Sequence, residues 1–315
     1  MQYRVLGKTG FAVSRLCFGA LTVGPLQTNL TVREGARVIR SAIEAGVNFI
    51  DTAELYGTYP VIREALRGVS PEVLISSKCY AYTYQDMRKS VEMALKALKR
   101  DYIDIFMLHE QESLLTIKGH WDAVRFLLEA KESGLVRAIG ISTHSVEGVL
   151  AAAGIPEFDV IHPLYNLAGL GIQGGTAGEM LNAIRIAAQA GKGIYTMKAL
   201  GGGNLLDRAE DAFEFVLSVE EVSSIAVGMS TVEEVQYNTR LFAGRPVPDH
   251  LRAQVRRQPR RLHIDDWCRG CGECVSRCAA LALTISGGKA LVEPSRCRLC
   301  GYCSAACPEF CIKIV

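Results

Sequence analysis

Aromatic residues and an excess of either charge are both scarce in this chain. Aromatic side chains make up 7% of the 315 residues, with two tryptophans, and 35 lysines and arginines nearly balance 33 acidic residues. A formal charge of +2 argues against nucleic acid or an anionic membrane surface as the main partner. No stretch approaches the roughly 20 apolar residues that span a bilayer, and the opening MQYRVLGKTG lacks the apolar core of an export signal. The expectation is a soluble, cytoplasmic protein. No G-x-G-x-x-G follows the first apolar run, which weakens an open doubly wound sheet as the architecture.

Cysteine, by contrast, is plentiful. Eight of the eleven fall in two runs, Cys268, Cys271, Cys274, Cys278 and Cys297, Cys300, Cys303, Cys307. In a reducing compartment these are expected to be thiolates rather than disulfides. Structural zinc would account for paired Cys-x2-Cys units but leaves the third spacing of each run unexplained. The repeated Cys-x2-Cys-x2-Cys-x3-Cys, followed by Pro308 in the second run and Ala279 in the first, is the spacing of bacterial ferredoxins. That spacing implies two 4Fe–4S clusters, with Cys268, Cys271, Cys274 and Cys307 on one and Cys297, Cys300, Cys303 and Cys278 on the other. The stretch Cys268–Ile285 aligns with Cys297–Ile314 as an internal repeat. So small a unit needs metal for much of its folding energy. Cys311 matches Ala282 in the repeat and, like Cys17, reads as a buried core thiol.

The first 242 residues alternate short apolar runs with amphipathic stretches. Strands are expected at Leu16–Gly19, Asn48–Asp51, Val73–Lys78, Ile103–His109, Arg137–Ser142, Val160–Pro163, Gly193–Lys198 and Ser224–Gly228, with helices such as Thr31–Ala45 and Thr231–Phe242 between them. Eight βα units of this size predict an α/β fold, a closed (β/α)8 TIM barrel. The domains are expected at 1–242 (barrel), 243–262 (linker) and 263–315 (a small α+β ferredoxin-like unit with both clusters). The linker carries Arg252, Arg256, Arg257, Arg260 and Arg261, which read as a solvated helix. It is long enough to climb from the base of the barrel to its mouth.

Catalytic groups in such barrels gather where strands end. Asp51, with Tyr56 five residues on, Lys78 and His109 close the second, third and fourth expected strands. The runs YRVLGKTGFAVSRLCFGA, NFIDTAELYG, LISSKCY and DIFMLHE resemble the aldo-keto reductases over residues 1–241. The resemblance implies Tyr56 as proton donor, Lys78 and Asp51 as its partners, and His109 as the residue that orients a carbonyl. An ammonium beside Tyr56 is expected to lower the pKa of its phenol, while Asp51 holds that ammonium.

The same resemblance implies NAD(P)H across the mouth, touching Ser142, His162, Met197, Gly201, Gly228, Ser230, Thr231 and Asn238. Four positions depart from the family pattern. Thr143 stands for an asparagine, His162 for a glutamine, Met197 for a tyrosine, and Glu234 for an arginine that reads a 2′-phosphate. A carboxylate at 234 would repel that phosphate, which leaves NADP against NAD open.

Of two enzymatic readings the first is favoured, and the set Asp51, Tyr56, Lys78 and His109 argues against a non-enzymatic electron carrier. That first reading is hydride exchange between NAD(P)H and a small carbonyl or alcohol. The other is a ferredoxin-linked oxidoreductase with a flavin or single-electron chemistry in the barrel, fed by a redox partner protein. The tension between them is electronic, since a cluster carries one electron and a hydride two.

Overall fold

The computed structural model describes residues 1–69 and 72–315. A short hairpin, β1 (Tyr3–Val5) and β2 (Ala12–Ser14), precedes the barrel. Its Leu6 and Val13 are buried with Phe49, Ile105, Val160 and Tyr195, in a layer inside the strands. The hairpin has no counterpart in the expectations above, because three-residue strands leave no readable period.

The eight barrel strands are β3 (Leu16–Gly19), β4 (Phe49–Asp51), β5 (Leu74–Cys79), β6 (Ile103–Leu108), β7 (Val136–Thr143), β8 (Val160–Pro163), β9 (Gly193–Met197) and β10 (Ser224–Gly228). They pair in parallel in that order, and β10 closes on β3. The fold is therefore a closed (β/α)8 barrel with a small C-terminal domain. Strand boundaries differ from expectation by a residue or two. Helices cover the strands from outside, so both strand faces are apolar or internally satisfied. The hydroxyls that β5 buries find partners: Ser76 pairs with the Tyr195 hydroxyl at 2.8 Å and Ser77 with that of Tyr59 at 2.7 Å.

Helix starts follow capping chemistry. Thr31 and Glu34 form a reciprocal capping box ahead of the helix Val32–Glu44, and Thr176 with Glu179 does the same for Ala177–Gln189. The last barrel helix, Val232–Phe242, packs against a linker helix, Asp249–Arg256, through Tyr237, Val247 and Leu251. Arg256, Arg257 and Arg261 are exposed as expected, whereas Arg252 and Arg260 are half-buried. Arg252 pairs with Glu210, Arg260 with Glu234, and Arg261 donates to the Gln27 carbonyl.

Beyond the linker, β11 (Leu262–Ile264) pairs antiparallel with β14 (Ile312–Ile314), and β12 (Leu283–Ser286) with β13 (Lys289–Val292). Two matching one-turn helices, Glu273–Ser276 and Tyr302–Ala305, each start at a glycine with positive φ, Gly272 and Gly301. The small core consists of Leu262, Leu283, Ala290 and Ile312 together with cysteine side chains.

Candidate active site and iron–sulfur ligands

The barrel mouth brings Asp51, Tyr56, Lys78 and His109 together. Lys78 Nζ lies 2.8 Å from both Asp51 carboxylate oxygens and 2.8 Å from the Thr52 carbonyl. An ammonium has three protons to donate, so all of Lys78's are in use. Its Nζ stands 5.2 Å from the centroid of the Tyr56 ring, and that ring meets His109 edge-on at 5.8 Å.

The expected lowering of the Tyr56 pKa is overturned. Burial, then the nearby Asp51 and Glu110 carboxylates, hold the phenol well above its ordinary value. The reason is geometric: Lys78 donates its protons to Asp51 and to the Thr52 carbonyl. His109 is buried, and its imidazole is held neutral by burial and then by Lys78 and Lys198. Its Nδ1 is buried without a hydrogen-bond partner.

Several polar groups around these four went unread in the sequence. Tyr195 donates to Asp51 Oδ1 at 2.8 Å, so the carboxylate is fixed from two sides. Tyr80 stacks on His109 at 4.4 Å and donates to Glu110 at 2.6 Å. Lys198 Nζ sits 2.9 Å from His144 Nε2, which is 3.6 Å from Glu110 Oε1. Lys198 and Glu110 both hold left-handed backbone, at φ 59° and 52°, an uncommon conformation that concentrates at functional sites. Each directly follows a strand-end residue, Met197 and His109, a placement that could have flagged them.

Two of the residues expected to hold a dinucleotide have partners within the barrel. Ser142 Oγ accepts the Glu110 N–H at 2.9 Å. His162 is buried beside Asp51. It stacks on the buried Tyr195 ring at 3.8 Å, Nδ1 lies 2.7 Å from the Tyr195 carbonyl, and Nε2 lies 3.7 Å from Asp51 Oδ1. Burial brings its pKa down to about 4, against the opposing pull of Asp51. Met197 is bridged to Leu164, and Gly228 is pressed by Thr22. Asn238 is buried in its helix.

The helix start at Thr231, expected to offer free N–H groups to a phosphate, already has an anion. Glu234 Oε2 accepts from the Ser230 N–H at 2.7 Å and from its hydroxyl at 3.0 Å. Arg260 of the linker neutralises Glu234 at 2.7 Å, and Gln258 donates to Thr231 Oγ1 at 2.8 Å. After β9, a Cβ on Gly203 would lie 2.0 Å from the Ile314 carbonyl oxygen, and one on Gly202 would lie 2.7 Å from the Lys313 side chain. The phosphate-binding end of a dinucleotide therefore does not fit this arrangement.

In the small domain, Cys268, Cys271, Cys274 and Cys307 line one void, with Cys311 at its wall. Cysteines from both halves of the repeat thus line one void. Among the described residues no three His, Cys, Asp or Glu side chains are grouped for a single metal ion. Cys268 Sγ accepts the Ala290 N–H at 3.4 Å, and the Cys307 and Cys311 sulfurs lie 3.4 Å apart. Cys311 is buried as expected, yet it adjoins a ligand position. The Cys311 contact holds the Cys307 thiol toward its thiolate form. Cys303 is pushed up to about 11 by burial and then by the charges of Cys300 and Cys297. Cys278 Sγ accepts the Ala282 N–H at 3.3 Å. Bound clusters would supply single-electron transfer.

A parallel barrel with a polar, strand-end mouth and a cysteine-lined appendage defines an oxidoreductase built from two domains. Residues 15–214 match the model of the Aldo/keto reductase family, and residues 261–308 that of the 4Fe-4S dicluster domain. The chain belongs to the aldo/keto reductase family.

L-galactose dehydrogenase of Arabidopsis thaliana is 23% identical over 282 residues, 76% of this chain and 87% of that protein. Aldo-keto reductase YhdN of Bacillus subtilis is 27% identical, covering 53% of this chain and 54% of its own length. A solved Pseudomonas aeruginosa protein assigned to the aldo-keto reductases shares 30% identity, with TM-score 0.66 over 77% of this chain and 94% of that one. Family membership makes the protein an oxidoreductase enzyme with an iron–sulfur domain, in a family that in general uses nicotinamide cofactors and small carbonyl substrates. No helix among the described residues is long and apolar enough to cross a membrane.

Proposed function

We propose that the barrel mouth interconverts a small carbonyl compound and its alcohol, with Tyr56 as proton donor to the developing alkoxide. The observation that carries this reading is the buried Asp51–Lys78 pair set 5.2 Å beneath the Tyr56 ring, with His109 at its edge. Tyr56 keeps its proton at neutral pH because burial and two carboxylates disfavour phenolate. The proton is then available when negative charge builds on the substrate oxygen. Once phenolate forms, one Lys78 proton can turn from Asp51 toward it, since both Asp51 oxygens and a carbonyl now share those protons. His109, neutral, can hydrogen-bond the same oxygen. The packing of Tyr80 fixes the plane of the imidazole.

Eight cysteines are proposed as ligands of two 4Fe–4S clusters. One set is Cys268, Cys271, Cys274 and Cys307, and the other is Cys297, Cys300, Cys303 and Cys278. A ferredoxin-linked reaction is the second reading, favoured by the linker contacts at Thr231 and Glu234. The test supplies anaerobic, iron-loaded protein with small aldehydes and 2-oxo acids, using NADPH and reduced methyl viologen in parallel assays. Tyr56→Phe is expected to lower turnover by about 10²-fold or more with whichever donor works. Turnover unchanged by Tyr56→Phe would sink the carbonyl reading. Flavin bands above the broad cluster absorption would place a flavin in the barrel.

A further inference from the structure

Three positions that the family resemblance gives to a dinucleotide are each met by this chain's own C-terminal segment. At the loop after β9, Gly203 faces the Ile314 carbonyl and Gly202 faces Lys313 and the tip of Phe310. At the loop after β10, Gln258 donates to Thr231 Oγ1. At the start of the last barrel helix, Arg260 pairs with Glu234, whose other oxygen already takes the Ser230 N–H. Other contacts seal the same seam. Asn204 donates to Ser304 Oγ at 2.9 Å, and Phe310 packs against Gly171 and lies 5.2 Å from Lys198 Nζ.

The three glycines after β9 leave space that a bound pyrophosphate could use, but here a backbone carbonyl of β14 takes it. The charge at 234 is reversed relative to a phosphate reader, and the arginine that answers it arrives from the linker. A 2′-phosphate would have to displace Arg260 from Glu234 and then face the freed carboxylate, an unfavourable exchange in a partly buried setting that weighs against NADP(H) in particular. Removing β14 would also break its ladder with β11, which holds the small domain together.

We propose that the C-terminal segment, through Gln258, Arg260, Phe310 and Ile312–Ile314, fills the dinucleotide groove as a fixed part of the fold, so that the protein holds no NAD(P)(H) there. Its electrons are then exchanged singly with a one-electron carrier, two of them with two protons for each carbonyl reduced to its alcohol. The filled groove goes beyond the carbonyl reading and does not depend on Tyr56.

The test is binding, not turnover. Anaerobic full-length protein with its iron in place is dialysed to equilibrium against NADPH or NADH up to about 1 mM. Hydrogen exchange is followed by mass spectrometry in peptides covering 198–205, 228–240, 256–262 and 308–315. The expected result is no change of exchange in any of these four segments with either dinucleotide. Slowed exchange at 198–205 or 228–240, or faster exchange at 256–262 or 308–315, would mean that the groove admits the cofactor and would overturn the proposal. Dialysis that shows binding without exchange changes in these segments places the dinucleotide elsewhere and leaves the filled groove supported. Loss of activity in Tyr56→Phe bears on the carbonyl reading alone, so the two can fail separately.

Discussion

Lys78 Nζ sits 2.8 Å from both oxygens of Asp51, and the pair is almost wholly buried. A buried ion pair repays its desolvation only with good geometry and further hydrogen bonds. Both are present, since Thr52 accepts the third lysine proton and Tyr195 donates to the carboxylate. Lys78→Met strands the Asp51 charge among Tyr195 and His162, and is expected to cost about 3–5 kcal/mol of barrel stability. Asp51→Asn/Lys78→Met should recover part of that loss, because no lone charge remains buried. Urea unfolding of the four species, followed by far-UV circular dichroism, checks the cycle. A double variant less stable than Lys78→Met would contradict it.

Lys198 supplies a pH signature. Burial and then Lys313 bring its pKa down from 10.5 to about 7. Between these values the unfolded chain binds a proton at Lys198 that the folded chain does not. Stability therefore rises with pH through this window and falls as pH drops toward 7. Lys198→Met should flatten the rise. Unfolding midpoints at pH 7, 8 and 9 measure it, and parallel slopes for the variant and the parent protein would contradict it. Below pH 7 the two profiles should run parallel.

Much of the barrel was legible because its strands are short apolar runs at regular intervals, bounded by helices with readable caps such as Thr31 and Glu34. Asp51, Lys78 and His109 stood out as polar residues closing such runs. What the sequence hid depends on contacts between distant segments. Tyr195 reads as an ordinary core aromatic, and only the closed barrel brings its hydroxyl to Asp51, 144 positions away. His162 has a plausible place in a cofactor groove by position, but the side chain is buried and stacks on Tyr195. The protonation of Tyr56 was misjudged for a similar reason. The family resemblance placed a lysine beside the phenol, whereas the fold gives that lysine's protons to Asp51 and Thr52. The linker arginines resembled a solvated face because nothing in their own neighbourhood announces Glu210 or Glu234.

The cysteine pairing across the repeat makes a spectroscopic prediction. Cys307 belongs by sequence to the second run, yet it lines the same void as Cys268, Cys271 and Cys274. Cys307→Ala should therefore perturb the same cluster as Cys268→Ala, and Cys297→Ala the other one. Iron analysis is expected to fall in each variant. The electron paramagnetic resonance signal remaining after reduction should match between Cys307→Ala and Cys268→Ala and differ from that of Cys297→Ala. A match between Cys307→Ala and Cys297→Ala instead would show that each run serves its own cluster.

The seam between the domains turns on Gly203. Its φ of +89° is a conformation that residues with a Cβ rarely adopt, and a Cβ would come within 2.0 Å of the Ile314 carbonyl oxygen. Gly203→Ala combines a backbone cost of about 1–2 kcal/mol with a contact that only backbone movement can relieve. The carbonyl cannot rotate away freely, because Ile314 is paired to Leu262 in the β11–β14 ladder. The strain should therefore lift the small domain from the mouth rather than unfold the barrel, whose strands lie on the far side of the loop. Hydrogen exchange at 308–315 and at 256–262 is expected to quicken in Gly203→Ala while that of β4 to β7 stays unchanged. Gly244→Ala is the control, since its φ is also positive, at +66°, but nothing lies within 4 Å of the added carbon. That variant pays the backbone cost without disturbing the seam. Quickened exchange at 308–315 in both variants would assign the effect to backbone strain in general and remove Gly203 as the point where the domains are held together.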